Sequence, residues 1–354
     1  MDIYNVIGIM SGTSLDGVDI AFCIFQKKLN IWNFEIVKAQ TFDYNKTWKE
    51  KLNSLHRSNA LSFVKTHAEY GDYLGELVNG FLEKNTLNPD FIASHGHTIF
   101  HQPQEKLTFQ IGDGAAIAAK TKFTVVSDFR NLDVKLGGQG APLVPIGDKL
   151  LFPQYDYCLN LGGFANISFD NEANQRIAFD ICPVNIVLNK IAAEFDFAFD
   201  DKGKIAKSGY LNPQLLLELD ALDYYNQKNP KSLGKEWVIE YFEPILKKIN
   251  LSASDKLRTV CEHIAKQISK AITHNNSKSL LISGGGAYND FLINRIKAHT
   301  NQKIHIPENK IIDFKEAMIF AFLGVLKMRG EINCLKSVTG ASKDSSGGVI
   351  FNLS

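Results

Sequence analysis

Residues 7–19 read IGIMSGTSLDGVD and join two apolar, strand-prone runs through a short turn of small and polar residues. The first run spans Tyr4 to Met10 and the second spans Val18 to Phe25. β-prone runs bounded by Gly and Ser predict a strand–turn–strand unit. No G-K-[ST] follows the glycines and no helix opens directly after them, so the turn is not a Walker phosphate loop.

The turn itself carries groups that suit a phosphate. Its glycines permit a tight backbone with exposed amides, hydroxyls can donate to phosphate oxygens, and the carboxylate of Asp16 or Asp19 can hold hydrated Mg²⁺. The same composition is typical of an ordinary hairpin turn, so the local sequence leaves both interpretations open. If the turn binds phosphate, the candidate ATP contacts are Gly12, Thr13, Ser14, Leu15, Asp16, Gly17, Val18 and Asp19.

Two further glycine-rich turns follow apolar runs. Gly162-Gly163 follows residues 157–161, and Gly284-Gly285-Gly286 follows residues 279–282 and precedes a helix predicted over residues 287–297. Glycines between a strand and a helix let backbone amides approach a nucleotide, so Gly284, Gly285 and Gly286 are also candidate ATP contacts. An ordinary tight strand-to-helix connection accounts for them equally well.

Helical periodicity is clearest in residues 62–83, 257–273 and 314–328. Because strands and helices alternate, the fold class is α/β, with sheets covered by helices. Glycine turns in both halves predict two domains that each present backbone amides to one central ligand. Prolines interrupt the chain near residues 144–157, so we divide it into domains 1–150 and 151–354, with the alternative that a C-terminal helix crosses back to the first domain.

Composition restricts the partners. The net charge is +1 with 45% hydrophobic and 22% charged residues, which favours a small molecule over nucleic acid or a membrane surface. The five cysteines are odd in number and form no C-x-x-C pair, which argues against a disulfide framework or thiolate zinc site and favours a reducing cytoplasm. The N-terminus lacks a signal-peptide pattern, and no apolar run of ~18 residues is present to span a bilayer. A homodimer is compatible with all of this.

Two histidines and an arginine form the polar candidates of the first half. Strand alternation would place His95 and His97 on one face, a spacing used both by metal sites and by neutral imidazoles that bind hydroxyls and carboxylates. Arg130, in Asp128-Phe129-Arg130, can pair bidentately with a ligand carboxylate or form a structural ion pair with Asp128.

Two acidic residues are the candidates of the second half. Asp180 ends the β-like run 176–179, where a carboxylate is well placed to face a ligand, although it also suits a helix N-cap before Pro183. Glu316 opens a predicted helix and can either reach a ligand or stabilise the helix N-terminus.

Taken together, short segments along the chain resemble those of anhydro-N-acetylmuramic acid kinases, members of the actin-like superfamily of sugar kinases and acetate kinase. In chain order they are IGIMSGTSLDGVD (7–19), SHGHT (94–98), QIGDGAAIA (110–118), SDFRNLDVKLGGQGAPLVP (127–145), NLGGFANIS (160–168), FDICPVN (179–185), SGGGAYN (283–289), EAMIFAFLG (316–324) and SVTGAS (337–342). Each is a weak pattern by itself, but their common order extends the resemblance nearly end to end.

The resemblance implies a two-domain actin-like ATPase fold of the ribonuclease-H-like kind, with a central ligand cleft. It implies a cytoplasmic, ATP- and Mg²⁺-dependent kinase of cell-wall recycling. Such an enzyme opens the 1,6-anhydro bond of anhydro-N-acetylmuramic acid with water and phosphorylates the 6-hydroxyl, giving N-acetylmuramic acid 6-phosphate. By residue, it implies Asp180 as the catalytic base and, as sugar contacts, His95, His97, Thr98, Asp128, Arg130, Gln139 and Glu316.

One stretch departs from the family. After the aspartate the family has Thr-Gly-Pro-Gly-Asn or close to it, whereas this chain has ICPVN at residues 181–185. Bulkier side chains here could narrow the sugar site, which motivates a kinase for a related amino sugar as an alternative. A non-catalytic nucleotide- and sugar-binding sensor is a second alternative. Retention of Asp180 and Asp16 argues against the sensor, because a sensor needs no general base.

Overall fold

A computed structural model describes residues 2–12, 15–227, 231–272 and 278–353 of the chain. The chain forms two compact units. Unit 1 comprises Met1–Phe152 and Phe314–Ser354, and unit 2 comprises Pro153–Asp313.

The regular elements of the first segment are the strands β1 (Asp2–Ser11), β2 (Gly17–Lys28), β3 (Ile31–Asp43), β4 (Phe91–Gln102), β5 (Leu107–Ile111) and β6 (Val125–Ser127), and the helices α1 (Lys46–Ser54), α2 (Ala60–Asn85), α3 (Gly114–Thr121), α4 (Asn131–Lys135) and α5 (Val144–Leu151). Those of the middle segment are β7 (Tyr157–Leu161), β8 (Phe164–Asp170), β9 (Arg176–Pro183), β10 (Ser279–Ser283) and β11 (Lys303–His305), with α6 (Asn185–Ala192), α7 (Lys204–Ser208), α8 (Pro213–Asp220), α9 (Lys235–Trp237), α10 (Glu243–Lys248), α11 (Ala253–Ala271) and α12 (Asp290–His299). The chain ends with α13 (Asn309–Met328), α14 (Lys336–Thr339) and β12 (Val349–Phe351).

The two units share one strand order. In unit 1 the described residues form a seven-stranded sheet ordered β12-β6-β4-β1-β2-β3, with β5 paired to β4. Strands β1, β2 and β3 are antiparallel neighbours, whereas β4 is parallel to β1 and β6 is parallel to β4.

Unit 2 repeats this arrangement with its sheet β11-β10-β7-β8-β9. Strands β7, β8 and β9 form an antiparallel meander, β10 lies parallel to β7, and β11 lies parallel to β10. Each unit therefore has three antiparallel strands followed by two parallel ones. The α/β class with two ribonuclease-H-like units, which the resemblance implied, is confirmed.

Alternate residues of β1 face two different helices. Ile7 and Ile9 are fully buried in one hydrophobic cluster with Tyr70 and Leu74 of α2. Gly8, on the opposite face, lies against α13, because a Cβ atom at this position would be 2.0 Å from the Ala317 carbonyl oxygen. Only glycine permits this approach, so the quoted motif is partly a packing requirement of unit 1.

The core of unit 2 is organised by α11. Its buried residues recur at helical spacing, as the sequence predicted, and belong to the same hydrophobic cluster as Leu159 and Leu161 of β7. The side chain of Ser252 accepts a hydrogen bond from the amide of Asp255 and so caps the N-terminus of α11. In the part of the chain that is described, no helix combines the length and hydropathy needed to cross a membrane.

Residues 314–354 belong to unit 1, not to the second domain in which the 151–354 division had placed them. Strand β12 pairs antiparallel with β6 through Ile350 and Val126, and Phe322 of α13 contacts the rings of Phe25 and Trp32 at 5.3 and 5.0 Å. The sequence has no Gly or Pro punctuation at this boundary because the boundary falls inside the continuous helix α13.

Candidate active site

The first glycine turn connects β1 to β2 in unit 1. Thr13 and Ser14 lie outside the described residues, so their hydroxyl contacts to phosphate stay predictions. Leu15 has a φ of 60°, and its amide donates to the Gly12 carbonyl oxygen at 3.4 Å, which closes the turn. Val18 is fully buried in the unit 1 core, so its side chain serves packing and only its backbone is left for a ligand.

Two carboxylates flank this turn. Asp16 is exposed, and Gly17 begins the pairing of β2 with β3. The Asp19 carboxylate accepts a hydrogen bond from Thr41 Oγ1 at 2.6 Å. This hydrogen bond restrains the Asp19 carboxylate, while the role of either residue toward Mg²⁺ stays a prediction.

The glycine turn of unit 2 lies against the end of β7. Gly284 has a φ of 80°, and a Cβ there would lie 2.4 Å from Asn160 Oδ1, so the position requires glycine. Gly286 is similarly close to Leu161, because its Cβ would lie 2.7 Å from the Leu161 Cβ. Gly285 has more room, since the nearest atom to a Cβ there would be Asn185 Nδ2 at 3.6 Å.

A second turn in unit 2 converges on the same place, and the sequence-based site residues left it out. Gly162 and Gly163 join β7 to β8, the position that residues 12–16 hold between β1 and β2. Asn185 Nδ2 donates to the Leu161 carbonyl oxygen at 3.2 Å, and the Asn185 amide donates to the Gly162 carbonyl oxygen at 3.2 Å. A Cβ at Gly163 would meet nothing within 4 Å, so a ligand can approach its backbone. The sequence signal that could have identified this turn is its position between two strands, which is the same as that of the turn between β1 and β2.

Asp180 lies within β9 and does not cap a helix, since the N-cap of α6 is Val184. Opposite it, Ala165 pairs with Cys182 and Asn166 pairs with Asp180, so Ile181 is an extra residue in β9. Such a β-bulge bends the strand and re-aims the neighbouring side chain.

Asp180 is held by one short segment and one tyrosine. Its Oδ2 accepts from the Leu233 amide at 2.9 Å, its amide donates to the Lys231 carbonyl oxygen at 3.0 Å, and its carbonyl oxygen accepts from Tyr224 Oη at 2.6 Å. Burial raises the pKa of Asp180 to about 6, and the Leu233 amide acts in the opposite direction. A carboxylate with its pKa near neutrality and a fixed orientation has the properties of a general base.

The residues that depart from the family pattern face away from solvent. Ile181, Cys182 and Val184 are 3%, 0% and 0% exposed and pack in the unit 2 core. Their side chains therefore fill the interior beneath β9. The structure gives no support to the expectation that their bulk narrows the sugar site, which was the reason for considering a different amino sugar.

The two candidate histidines do not share a face, so the alternation prediction was wrong. Gly96, with a φ of 74°, forms a bulge: Ile9 pairs with Ser94 and Ser11 pairs with His97, which leaves one extra residue in β4. Consequently the ring of His95 contacts Phe320 of α13, with centroids 4.5 Å apart, whereas His97 faces Tyr70 of α2.

Arg130 is oriented by His95 and a loop carbonyl. Its Nε donates to His95 Nε2 at 2.8 Å and its Nη1 donates to the Gly140 carbonyl oxygen at 2.7 Å. His95 Nδ1 then carries the proton and donates to the Gly96 carbonyl oxygen at 2.9 Å. Burial and the adjacent Arg130 charge hold the pKa of His95 well below its usual range, so the imidazole is neutral.

The predicted alternative of an Asp128–Arg130 ion pair is not found among the described residues. Asp128 Oδ2 instead accepts from Asn131 Nδ2 at 3.4 Å, and Asp128 has a φ of 59°. Burial lowers the pKa of Arg130 to about 10, which leaves it charged at neutral pH. Arg130 is thus a fixed cation whose Nη2 forms no hydrogen bond with any described residue.

The other predicted sugar contacts lie at three places in unit 1. Glu316 lies in unit 1 and not in the predicted second domain. Desolvation of its carboxyl raises the pKa of Glu316, and the Arg130 charge opposes that shift. Gln139 is exposed next to Gly140, and its amide donates to the Thr339 carbonyl oxygen at 2.8 Å. Thr98 is half-buried in β4 opposite Gln110.

Asp133, which was not among the sequence-based site residues, organises the loop beside Arg130. It is 1% exposed; its Oδ1 accepts from Thr339 Oγ1 at 2.7 Å and its Oδ2 accepts from the Gly140 amide at 2.8 Å. The Cys334 thiol also donates to Oδ1 at 3.0 Å. One buried carboxylate therefore joins the Arg130 loop to the C-terminal segment. Its place three residues after Arg130 was the available signal.

Replacing Asp133 by Asn is expected to lower the free energy of unfolding by about 2–4 kcal/mol. One of the two carboxylate oxygens becomes an NH2 group, which is a donor and would face another donor. Urea denaturation measures the change. Thr339→Val is the matched control, since it removes one donor to the same carboxylate and should cost only about 1 kcal/mol. Equal stability of Asp133→Asn and the unmodified chain would contradict the organising role.

Comparisons with known proteins agree with the resemblance. Residues 4–353 match the family model described as anhydro-N-acetylmuramic acid kinase. A protein of that name from Sulfurovum sp. (strain NBC37-1) is 36% identical, with 98% of both chains covered. The Vibrio cholerae protein of the same name is 33% identical, with 98% of this chain and 97% of its own covered.

Among solved structures, the activator of the 2-hydroxyisocaproyl-CoA dehydratase from Clostridium difficile with bound ADPNP is similar at a TM-score of 0.45 and 13% identity. That similarity covers 92% of this chain and 97% of the other.

Proposed function

Because the chain belongs to the anhydro-N-acetylmuramic acid kinase family, we propose that it transfers the γ-phosphate of ATP to the 6-oxygen of 1,6-anhydro-N-acetylmuramic acid while water opens the anhydro bridge. The products are N-acetylmuramic acid 6-phosphate and ADP. The observation that carries the proposal in this chain is Asp180, an oriented carboxylate whose pKa is raised to about 6.

Asp180 acts as the general base. The Leu233 amide fixes Oδ2, and Oδ1 forms no hydrogen bond with any described residue, so Oδ1 is the oxygen that accepts a proton from water. The water oxygen bonds to the anomeric carbon, and the bond from that carbon to the bridging 6-oxygen breaks. The released electron pair on the 6-oxygen forms the new bond to the γ-phosphorus, and the bond from phosphorus to ADP breaks. The proton resides on Asp180 and leaves to solvent.

The glycine turns supply backbone amides to the nucleotide. In unit 2 these are the amides near Gly163 and Gly285, where the backbone is open, and in unit 1 those of the turn after β1. Mg²⁺ supplies charge neutralisation for the phosphates. Asp16 and Asp19 are the residues of this chain that would hold the cation, because carboxylate oxygens are ligands that Mg²⁺ prefers.

Arg130 selects the sugar. Muramic acid carries a lactyl carboxylate that glucosamine lacks, and a guanidinium matches a carboxylate with two parallel hydrogen bonds. Because Nε and one Nη1 proton are already used, the remaining Nη1 and Nη2 protons present the end of the guanidinium to that carboxylate.

We also place the reaction in the cytoplasm. All five cysteines are free and buried, which suits a reducing compartment.

A coupled assay of ADP release tests the function. With anhydro-N-acetylmuramic acid, anhydro-N-acetylglucosamine, N-acetylglucosamine and N-acetylmuramic acid offered separately, we expect the highest kcat/KM for the first. Mass spectrometry of the product should show the mass of the anhydro sugar plus one water and one phosphoryl group (HPO3). Preferential turnover of a sugar without an anhydro bridge would overturn the proposal.

Activity is expected to fall as pH decreases through about 6, the value to which burial raises the pKa of Asp180. Only the deprotonated carboxylate accepts a proton, so the active fraction declines by roughly tenfold per pH unit below that value. Measuring kcat/KM from pH 5 to 8, with circular dichroism as a check on folding, tests this. A flat profile down to pH 5 would contradict the assignment.

A further inference from the structure

A chain of buried hydroxyl groups runs from α2 to His97 in unit 1. Tyr70 Oη bonds to Tyr44 Oη, Tyr44 Oη lies 2.5 Å from Ser11 Oγ, and Ser11 Oγ lies 2.8 Å from His97 Nδ1. All four side chains are less than 5% exposed. The proposed catalytic steps use none of the three hydroxyls.

Counting donors and acceptors shows in which direction the hydrogen bonds of this hydroxyl series run. If His97 Nδ1 carried the proton, each hydroxyl would donate toward α2, and the last proton, on the fully buried Tyr70, would have no acceptor among the described residues. A buried donor without an acceptor is destabilising, because it loses its hydrogen bond to water and gains none in the protein. In the opposite direction every hydroxyl proton has an acceptor: Tyr70 donates to Tyr44, Tyr44 donates to Ser11, and Ser11 donates to His97 Nδ1.

With Nδ1 as an acceptor, the single proton of the neutral ring is on Nε2. Burial lowers the pKa of His97 to about 4, so the ring is neutral near pH 7. His97 Nε2 forms no hydrogen bond with any described residue. His97 also pairs in register with Ser11, the last residue of β1 before the glycine turn.

We infer that Ser11 is a positioning residue: through the hydroxyl chain it fixes His97 as the Nε2–H tautomer, and this N–H donates to an acceptor oxygen of the bound ligand. The oxygen belongs either to a nucleotide phosphate or to the sugar. The tautomer is a property of the free protein, whereas the ligand part rests on the proposed function.

Nitrogen-15 NMR of histidine-labelled protein tests the tautomer without any activity. The His97 signal, assigned by its loss in His97→Gln, is expected to show a protonated Nε2 and an unprotonated Nδ1. Ser11→Ala should give a mixture of tautomers. Ser94→Ala is the matched control, because Ser94 is a fully buried serine on β4 whose hydroxyl has no partner among the described residues. A protonated Nδ1 in the unmodified protein would overturn the inference.

Kinetics identify the ligand oxygen. Ser11→Ala is expected to raise KM by about 3- to 10-fold for one substrate only, with kcat within about twofold, while Ser94→Ala changes neither. A rise for ATP indicates a phosphate oxygen, and a rise for the sugar indicates a sugar oxygen.

Two substitutions of His97 test whether Nε2 is the atom that donates to the ligand. The amide nitrogen of Gln can occupy the position of His97 Nε2, whereas that of Asn can occupy only the position of Nδ1. His97→Gln should therefore retain KM within about threefold and His97→Asn should not. Equal KM values for both variants, or equal rises for both substrates in Ser11→Ala, would mean that His97 serves packing alone.

Discussion

Asp180→Asn is expected to lower kcat by about 10²- to 10⁴-fold while the affinity for ATP stays within a few-fold. The amide keeps the shape and can still accept from the Leu233 amide through its oxygen, but it cannot take a proton from water. Steady-state kinetics and calorimetry of ATP binding measure the two quantities. Asp223→Asn, an exposed carboxylate of the same unit, is the control and should retain full activity.

The same variant has a stability signature that separates loss of the base from loss of the fold. The folded-state pKa of Asp180 is raised from 3.8 to about 6, so the protonated form favours folding and its contribution is lost as pH rises through 6. Asn stays neutral at every pH. Asp180→Asn should therefore be more stable than the parent at pH 7.5, by on the order of 1–3 kcal/mol, and equally stable near pH 4. Normal turnover by a stable variant would remove Asp180 from the mechanism.

Arg130→Ala is expected to cost about 1.5–3 kcal/mol of apparent binding free energy for anhydro-N-acetylmuramic acid, the range for hydrogen bonds to charged groups. Anhydro-N-acetylglucosamine should lose much less, because it has no lactyl carboxylate. KM is measured for both sugars with both proteins. The effect of Arg130→Ala on one sugar is then compared with its effect on the other, so that general damage to the fold cancels.

Arg130→Lys sharpens the test. Lysine keeps the charge but cannot donate to His95, to the Gly140 carbonyl and to a ligand carboxylate in one plane. We expect it to fall between the parent and Arg130→Ala for the muramic sugar. Equal losses for both sugars would mean that Arg130 is structural and that another residue binds the lactyl group.

Much of the fold was predictable because its signals are local. Apolar, strand-prone runs bounded by Gly and Ser predicted β1 and β2, and 3.6-residue periodicity predicted α2, α11 and the greater part of α13. Two glycines of the 284–286 turn are required by the structure, because Gly284 has a positive φ and Gly286 packs closely against Leu161.

The rest of the site depends on contacts between distant residues. The bulge at Gly96, which separates His95 from His97, is set by pairing between β1 and β4, and alternation within one strand carries no sign of it. Asp133 gains its role only when residues near position 339 fold back beside it. Likewise, the return of α13 and β12 to unit 1 follows from a sheet edge and a sheet face that residues 2–152 leave for them.

The interrupted path of unit 1 also has a consequence for synthesis on the ribosome. Unit 2 is one uninterrupted stretch, so it can complete its core as soon as residue 313 has emerged. Unit 1 is the first to be synthesised but the last to be completed. Strand β6 pairs with β12, and the rings of Phe25 and Trp32 pack against Phe322, and both partners are made after unit 2. During translation its apolar surface therefore stays uncovered for the time needed to make the whole of unit 2. Uncovered apolar surface makes a nascent chain prone to aggregation. Premature termination before α13 and β12 have been made leaves unit 1, which carries Arg130, incomplete.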